Sequence, residues 1–100
     1  MILTDNESKV LDETYQKRGR KNQLLKAIEE LGELTRAIAR RLSSEYEHED
    51  VDNLAEEVVD VYITLEYVKK EVPNEMLLAT KKKKIDRMRK KNRLIDLQTA

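Results

Sequence analysis

The chain has no cysteine, one proline, two glycines and four aromatic residues, all tyrosine, among its 100 residues. Without cysteine it forms no disulfide scaffold and no thiolate zinc site, and it has no cysteine nucleophile. So few turn-forming and strand-forming residues, together with a charged fraction of 40%, argue against a β-rich fold and favour long helices. The sequence therefore predicts one all-α domain covering residues 1–100.

Long apolar runs are also missing. The first residues contain no basic segment followed by an apolar one, as a secretory signal would. No apolar run approaches the ~20 residues that a membrane-spanning helix needs. We therefore expect a cytoplasmic protein without membrane association.

The first two helices are predicted from a cap and from apolar spacing. Thr4 and Glu7 fit a capping box that begins a helix ending before Gly19. The second helix is predicted over residues 22–42. Its apolar stripe has the spacing 4-3-4-3-4 and consists of Leu24, Ile28, Leu31, Thr35, Ile38 and Leu42.

The second half of the chain predicts two further helices. Residues 43–50 read as an acidic loop, with the single histidine exposed in it, and the third helix covers about residues 51–70. Pro73 prevents its continuation, and a basic fourth helix follows over residues 74–95. Because the loop is short, helices two and three should pack antiparallel in a four-helix, bundle-like protomer.

Two pairs of acidic residues are the strongest functional signal. Glu30 and Glu33 lie three residues apart on helix two, and Glu57 and Asp60 lie three apart on helix three. This spacing places both carboxylates of a pair within ~60° on one helical face. At ~1.5 Å per residue both pairs lie at similar depth from the loop, so the four acids should converge. Such a cluster repels itself unless it holds a cation such as Mg²⁺ or Mn²⁺.

Helix three strengthens this interpretation because it is apolar on nearly every side. No Lys or Arg occurs from residue 42 to residue 68, so Glu57 and Asp60 have no cation on their own helix. A buried carboxylate without a counterion is costly, and an ion held by oxygen ligands removes that cost. The apolar residues are Leu54, Val58, Val59, Val61, Tyr62, Ile63, Leu65, Tyr67 and Val68.

Helix two also admits a simpler interpretation. Glu29, Glu30 and Glu33 lie opposite the apolar stripe, where acids usually form a solvated face. Lys26 and Arg36 are close enough along the helix to pair with them. A surface role for these three acids therefore stays open at this point.

The two motifs resemble a known signature. Glu29–Glu33 reads E-E-x-x-E, and 23 residues later Glu57–Asp60 reads E-x-x-D. In this order on hydrophobic helices, over about residues 15–95, they resemble the MazG-type, all-α nucleoside triphosphate pyrophosphohydrolases in their compact single-domain form. The resemblance implies Mg²⁺-dependent hydrolysis of a nucleoside triphosphate to the monophosphate and pyrophosphate.

The family's residues carry over by position. Glu30, Glu33, Glu57 and Asp60 match the Mg²⁺ ligands, with Mn²⁺ as a substitute ion. Glu30 or Glu33 would accept the proton of the attacking water. Glu29 matches an extra acid that supports the site.

Substrate contacts are less closely matched. Lys84 and Arg87 fit the basic positions with which the family's last helix meets phosphates, but Met88 stands where the family has an Asn. We take Gln23 as the candidate contact to the base. The nucleotide itself stays open: a deoxynucleotide, a pyrimidine such as dCTP or dUTP, or a damaged nucleotide.

The net charge of zero conceals an asymmetry. Residues 81–100 carry nine basic and two acidic residues, and residues 1–80 carry eleven basic and eighteen acidic ones. An acidic site and a basic segment suggest a bound cation beside a bound polyanion. The alternative is a non-enzymatic binding module whose basic helix meets nucleic acid or a protein partner. Nucleic acid is disfavoured, because the charge surrounds the helix and no aromatic residue lies among it.

Two expectations concern packing. Helix three is apolar on more faces than one antiparallel neighbour covers, which predicts a dimer or a dimer of dimers. Gly32, in the interior of helix two, is expected to permit close approach of a neighbouring helix or a ligand.

Overall fold

A computed structural model describes residues 2–43 and 51–99, and within these ranges it contains four helices and no strand. The prediction of an all-α fold with four helices is confirmed, and the oligomer stays a prediction. Most of the predicted loop, with the histidine, lies outside the described residues. The helices are α1 (Asp5–Arg18), α2 (Arg20–Leu42), α3 (Val51–Val68) and α4 (Asn74–Thr99), with a 3₁₀ turn at Lys69–Glu71.

Local chemistry explains where α1 begins and ends. The predicted capping box is present: the Glu7 backbone N–H donates to Thr4 Oγ1 at 3.1 Å, and the Thr4 N–H donates to Glu7 Oε1 at 2.8 Å. Gly19 has a φ of 88°, a region that side chains with a Cβ rarely adopt, and it alone joins α1 to α2. Because the turn needs only this residue, α2 begins at Arg20, two residues earlier than predicted.

The chain divides into two compact units, Met1–Lys70 and Glu71–Ala100. The first contains α1, α2 and α3, and the second contains α4. No residue of α4 is buried, and the helix extends to Thr99, four residues past the predicted end. That residues 1–100 form a single domain stays a prediction.

The core of the first unit lies between α2 and α3. Its buried apolar residues are Ala27 and Ala37 from α2 and Val61 and Tyr67 from α3. Early residues of α2 lie beside late residues of α3, since Gln23 and Tyr67 line the same groove and Glu30 lies beside Glu57 and Asp60. The two helices are therefore antiparallel, as predicted.

Helix α1 is attached to the end of α3 by aromatic and ionic contacts. The rings of Tyr15 and Tyr67 stack with their centroids 5.9 Å apart and an interplanar angle of 22°. Lys70 Nζ lies 5.2 Å from the centroid of the Tyr15 ring and 3.2 Å from Asp12 Oδ1. These contacts hold α1 against the hairpin of α2 and α3.

The structure buries a different face of α2 from the one that its apolar stripe marks. Ile28 and Leu42 are 68% and 82% exposed, and Leu31 and Ile38 are exposed as well. The buried residues are Gln23, Ala27, Glu30 and Ala37. A solvated position for Glu30, opposite the packed face, is therefore wrong, because Glu30 is only 7% exposed.

Helix α3 also departs from expectation. Val58, Val59 and Leu65 are exposed, and only Val61, Thr64 and Tyr67 are buried. In the single chain, α3 therefore buries one face, although apolar residues lie on nearly every side of it.

Two smaller findings concern Gly32 and the length of apolar helices. A Cβ added at Gly32 would meet no atom within 4 Å among the described residues, so the expected close approach is absent there. Within the described part of the chain, no helix has both the length and the hydropathy needed to cross a membrane.

Candidate metal centre and adjoining groove

Three carboxylates from α2 and α3 come together at the middle of the hairpin. Glu30, Glu57 and Asp60 each offer one oxygen, and these oxygens all lie within 4.8 Å of one another. Glu57 and Asp60 share a face because they are one helical turn apart, and the antiparallel packing brings Glu30 opposite them. Glu30 is buried, Glu57 is half-buried and Asp60 is exposed. We call this set the acid cluster; its oxygens suit a divalent cation, and Asp60 leaves it open to solvent.

Glu57 is the most strained member of the acid cluster. Desolvation raises the pKa of its carboxyl group, and the nearby charges of Asp60, Glu30 and Glu33 raise it further. Its Oε2 atom is buried and has no hydrogen-bond partner among the described residues. A buried, unpaired carboxylate oxygen is costly and gains from a ligand that supplies positive charge.

Asp60 is perturbed in the same direction but is partly compensated. Burial raises the pKa of its carboxyl group most, followed by the charge of Glu30 and a side-chain hydrogen bond with Glu30. The ammonium of Lys26 acts against this rise.

Lys26 is the cation that supports the acid cluster. Its Nζ lies 3.0 Å from Glu30 Oε1, and this hydrogen bond is the first cause that raises the pKa of Lys26. Although α3 carries no cation for its own acids, α2 therefore supplies one in Lys26. The spacing of four residues between Lys26 and Glu30 is the signal in the sequence that identifies the pair.

The other two predicted acids lie at the edge of the cluster. Glu33 is half-buried and outside the set of three, but its charge contributes to the raised pKa of Glu57. The Glu29 side chain is 62% exposed, and its Oε2 lies 3.9 Å from Lys26 Nζ. Glu29 thus reaches the cluster through Lys26.

A groove of about 570 Å³ between α1, α2 and α3 opens beside the acid cluster. Glu30 and Asp60 form part of its wall, and Lys17, Arg18 and Lys26 add positive charge. This volume lies within the ~300–1,000 Å³ range of small-molecule sites. The remaining lining residues are Val10, Leu11, Thr14, Asn22, Gln23, Ile63, Thr64 and Tyr67.

Gln23 is placed as a polar contact within this groove. The residue is only 5% exposed, and it lines the groove together with Glu30 and Asp60. A side-chain amide offers both a donor and an acceptor, so it suits a ligand that presents the same pair of groups. Gln23, the predicted contact to the base, thus lines the same groove as Glu30 and Asp60 of the acid cluster.

The sequence did not identify the wall that α1 contributes. Thr14, Lys17 and Arg18 line the groove, but α1 has no buried residue and a weak apolar pattern. No signal in the sequence showed which face of α1 packs. Lys84 and Arg87, the predicted phosphate contacts, are exposed on α4 in the second unit, and their role stays a prediction.

Compared with protein-family models, with curated proteins and with solved structures, the chain matches none.

Proposed function

We propose that the protein is a Mg²⁺-dependent hydrolase that converts a nucleoside triphosphate to the monophosphate and pyrophosphate. The observation that carries this proposal is the acid cluster, with carboxylate oxygens of Glu30, Glu57 and Asp60 within 4.8 Å of one another at the wall of a groove. The resemblance of its two motifs to the MazG-type pyrophosphohydrolases supports the same reaction.

The residues fit a divalent cation. Four carboxylates, Glu30, Glu33, Glu57 and Asp60, are the proposed ligands, and a cation bound there would compensate the unpartnered Glu57 oxygen. When bound, Mg²⁺ or Mn²⁺ neutralises phosphate oxygens and lowers the pKa of a coordinated water.

Glu33 is the better candidate for the base that accepts the proton of that water. Glu30 is buried, and its Oε1 atom is already engaged by Lys26 Nζ at 3.0 Å. Glu33 is half-buried and lies outside the three converging carboxylates. As the proposed ligand at the edge of the cluster, Glu33 would be the one least committed to the metal, which suits a general base, and Glu29 would assist by holding Lys26.

The groove suits the rest of a nucleotide. Lys17, Arg18 and Lys26 supply positive charge along the wall that also holds Glu30 and Asp60, as the phosphates of a substrate require. The Gln23 amide would meet the edge of the base, which presents a donor beside an acceptor in cytosine, uracil and adenine. Lys84 and Arg87 complete the proposal as contacts to the departing pyrophosphate.

A panel of ribo- and deoxynucleoside triphosphates, scored separately for pyrophosphate and orthophosphate, tests this function. We expect pyrophosphate release that needs Mg²⁺ or Mn²⁺ and stops with a chelator. Orthophosphate release would indicate a different bond cleaved. No turnover of any triphosphate, together with salt-sensitive DNA or RNA binding, would favour the alternative of a non-enzymatic binding module that uses α4.

Two further parts of the proposal concern the state of the protein. We propose a homo-oligomer, a dimer or a dimer of dimers, because apolar residues of α2 and α3 are exposed in the single chain. We place it in the cytoplasm, where nucleoside triphosphates are abundant.

A further inference from the structure

Helix α4 is the longest of the four helices, yet it buries none of its residues. Its basic segment, residues 81–93, contains nine Lys and Arg residues and a single acid, Asp86. All nine basic residues are exposed, and within the described part of the chain only Arg89 forms an ion pair, with Asp86 at 3.0 Å. The proposed reaction uses Lys84 and Arg87, so the other seven have no part in it.

The basic segment repels itself as a free helix. Seven pairs of like charge lie three or four residues apart within it, among them Lys83 with Arg87 and Arg89 with Arg93. Residues at these spacings are neighbours on a helix, and like charges there destabilise it. Because a bound polyanion would remove this repulsion, the segment is suited to an anionic partner.

The charge density of the basic segment is close to that of double-stranded DNA. Nine positive charges and one negative charge leave a net charge of +8 on thirteen residues. At ~1.5 Å per residue the segment is ~20 Å long, which gives one net charge per ~2.5 Å. A DNA duplex carries one phosphate per ~1.7 Å of its axis. A protein surface with scattered acids would leave many of the cations unpaired.

The charges are distributed as a partner that flanks the helix requires. At ~100° per residue, no sector wider than about 80° around the basic segment lacks a basic residue. A helix of ~10–12 Å diameter that lies in the ~12 Å wide major groove of DNA has phosphates on both sides. A lipid surface contacts one side only and needs an apolar face, and the segment contains just Ile85 and Met88 as apolar residues.

Other nucleic acids fit this helix less well. Single strands are bound largely by stacking on aromatic side chains, and α4 contains no aromatic residue. The major groove of double-stranded RNA is deep and too narrow for side chains to read. We propose that the basic segment of α4 binds double-stranded DNA in its major groove, in addition to the hydrolase activity proposed for the first unit. Since its contacts are to phosphates, this binding has no preference for base sequence.

Fluorescence anisotropy of a labelled DNA duplex of about 30 base pairs, titrated with the full chain at several NaCl concentrations, tests the proposal. We expect the logarithm of the association constant to fall linearly with log[NaCl]. The slope should be about −5 to −7, as roughly six to eight phosphate contacts require. A DNA single strand and an RNA duplex of the same sequence should each bind ~10-fold more weakly or worse.

A variant of the basic segment links this binding to α4. K82Q/K83Q/R93Q removes three positive charges but keeps Lys84 and Arg87, the proposed phosphate contacts of the hydrolase. The magnitude of its salt slope should be smaller by about 2.7, because each phosphate contact contributes ~0.9. Circular dichroism checks that the helices of the variant persist.

The matched control is K9Q/K21Q/R36Q, which removes two lysines and one arginine from α1 and α2. It should keep the wild-type slope. An equal change of slope in this control, equal binding of the single strand or the RNA duplex, or no binding of the DNA duplex in about 50 mM NaCl would overturn the proposal. Turnover without DNA binding would defeat this inference alone, and DNA binding without turnover would defeat the proposed hydrolase alone.

Discussion

The two sides of the α2–α3 hairpin differ in which kinds of residue they bury and which they expose. On one side, Glu30 and Tyr67 are buried beneath α1 and the groove, and polar groups are held in an apolar setting. On the other side, Ile28, Val58 and Leu65 are exposed. Charged groups are thus inside and apolar groups outside, which is the reverse of the usual rule for both. The metal ion that we propose for the acid cluster would compensate the buried charge, and the proposed homo-oligomer would cover the exposed apolar residues.

The largest effect should come from the aromatic contact on the groove side. Tyr67→Ala removes a buried ring that stacks on Tyr15, and we expect a loss of about 3–5 kcal/mol in the free energy of unfolding. Leu65→Ala, on the exposed side of the same helix, should cost less than about 1 kcal/mol at the lowest measurable protein concentration. Urea unfolding of both variants measures the difference. Equal losses would mean that the two sides are not distinct.

Activity should depend on the groove side alone. Glu57→Gln keeps the shape of the side chain but removes the charge, and we expect kcat/KM for the triphosphate to fall ~100-fold or more. Glu66→Gln is the matched control on α3, because Glu66 pairs with Lys69 at 3.3 Å instead of joining the cluster. Full activity in Glu57→Gln would remove Glu57 from the site.

Binding of Mg²⁺ to the acid cluster, on the groove side, should stabilise the folded protein. At ten times its dissociation constant, Mg²⁺ should raise the free energy of unfolding by about 1.4 kcal/mol, because it binds the folded state. Thermal melting with and without Mg²⁺, at constant ionic strength, measures this gain. The D60N variant should lose it. A rise of equal size with NaCl would show that the ion merely screens the acids.

The contribution of Glu57 and Asp60 to the stability of the fold should decrease as pH rises. The ordinary pKa values of Glu57 and Asp60 are 4.5 and 3.8, and folding raises both. In the window above these values the folded chain binds more protons than the unfolded chain, so the contribution of both groups to stability falls as pH rises. The stability of Glu57→Gln relative to wild type, in chelator, should therefore increase through this window and then level off. A flat or falling difference in urea titrations would contradict the strain assigned to Glu57.

The smallest effect is expected at Gly32, which faces neither a helix nor the groove. Gly32→Ala should stabilise the protein by about 0.5–1 kcal/mol, since a Cβ there meets no atom within 4 Å and the helix gains propensity. Gly19→Ala, in contrast, should destabilise it because φ is 88° at that residue. Thermal melting of both variants provides the comparison. A loss of stability in Gly32→Ala would indicate that a partner approaches α2 there.

The sequence predicted the helices well because their signals are local. The capping box at Thr4, the breaks at Gly19 and Pro73 and the two acidic motifs depend on residues a few positions apart. The convergence of Glu30 with Glu57 and Asp60 also followed, since it required only an antiparallel hairpin and a count of residues along each helix.

The choice of buried face could not be predicted in the same way. Apolar periodicity shows that a face of α2 needs a partner but does not show whether that partner is α3 or another chain. The buried face of α2 contains Ala27 and Ala37, whose small side chains let the two helices approach. It also contains Gln23 and Glu30, and because these residues are polar, a hydrophobic pattern does not identify the face. The role of α1 in the groove was missed for the same reason, because its contacts are few and mixed in character.

The single-residue junction at Gly19 has a mechanical consequence. Because Gly19 is the single residue between α1 and α2, any tilt of α1 relative to α2 would have its pivot there. Over its ~20 Å length, a tilt of 10° would move Asp5 by roughly 3.5 Å but Tyr15 by only about 1 Å. The tyrosine stack lies near the pivot and would survive a tilt that widens the far end of the groove. A tilt of α1 would therefore change the width of the groove least near Tyr15 and most toward the N-terminus of α1.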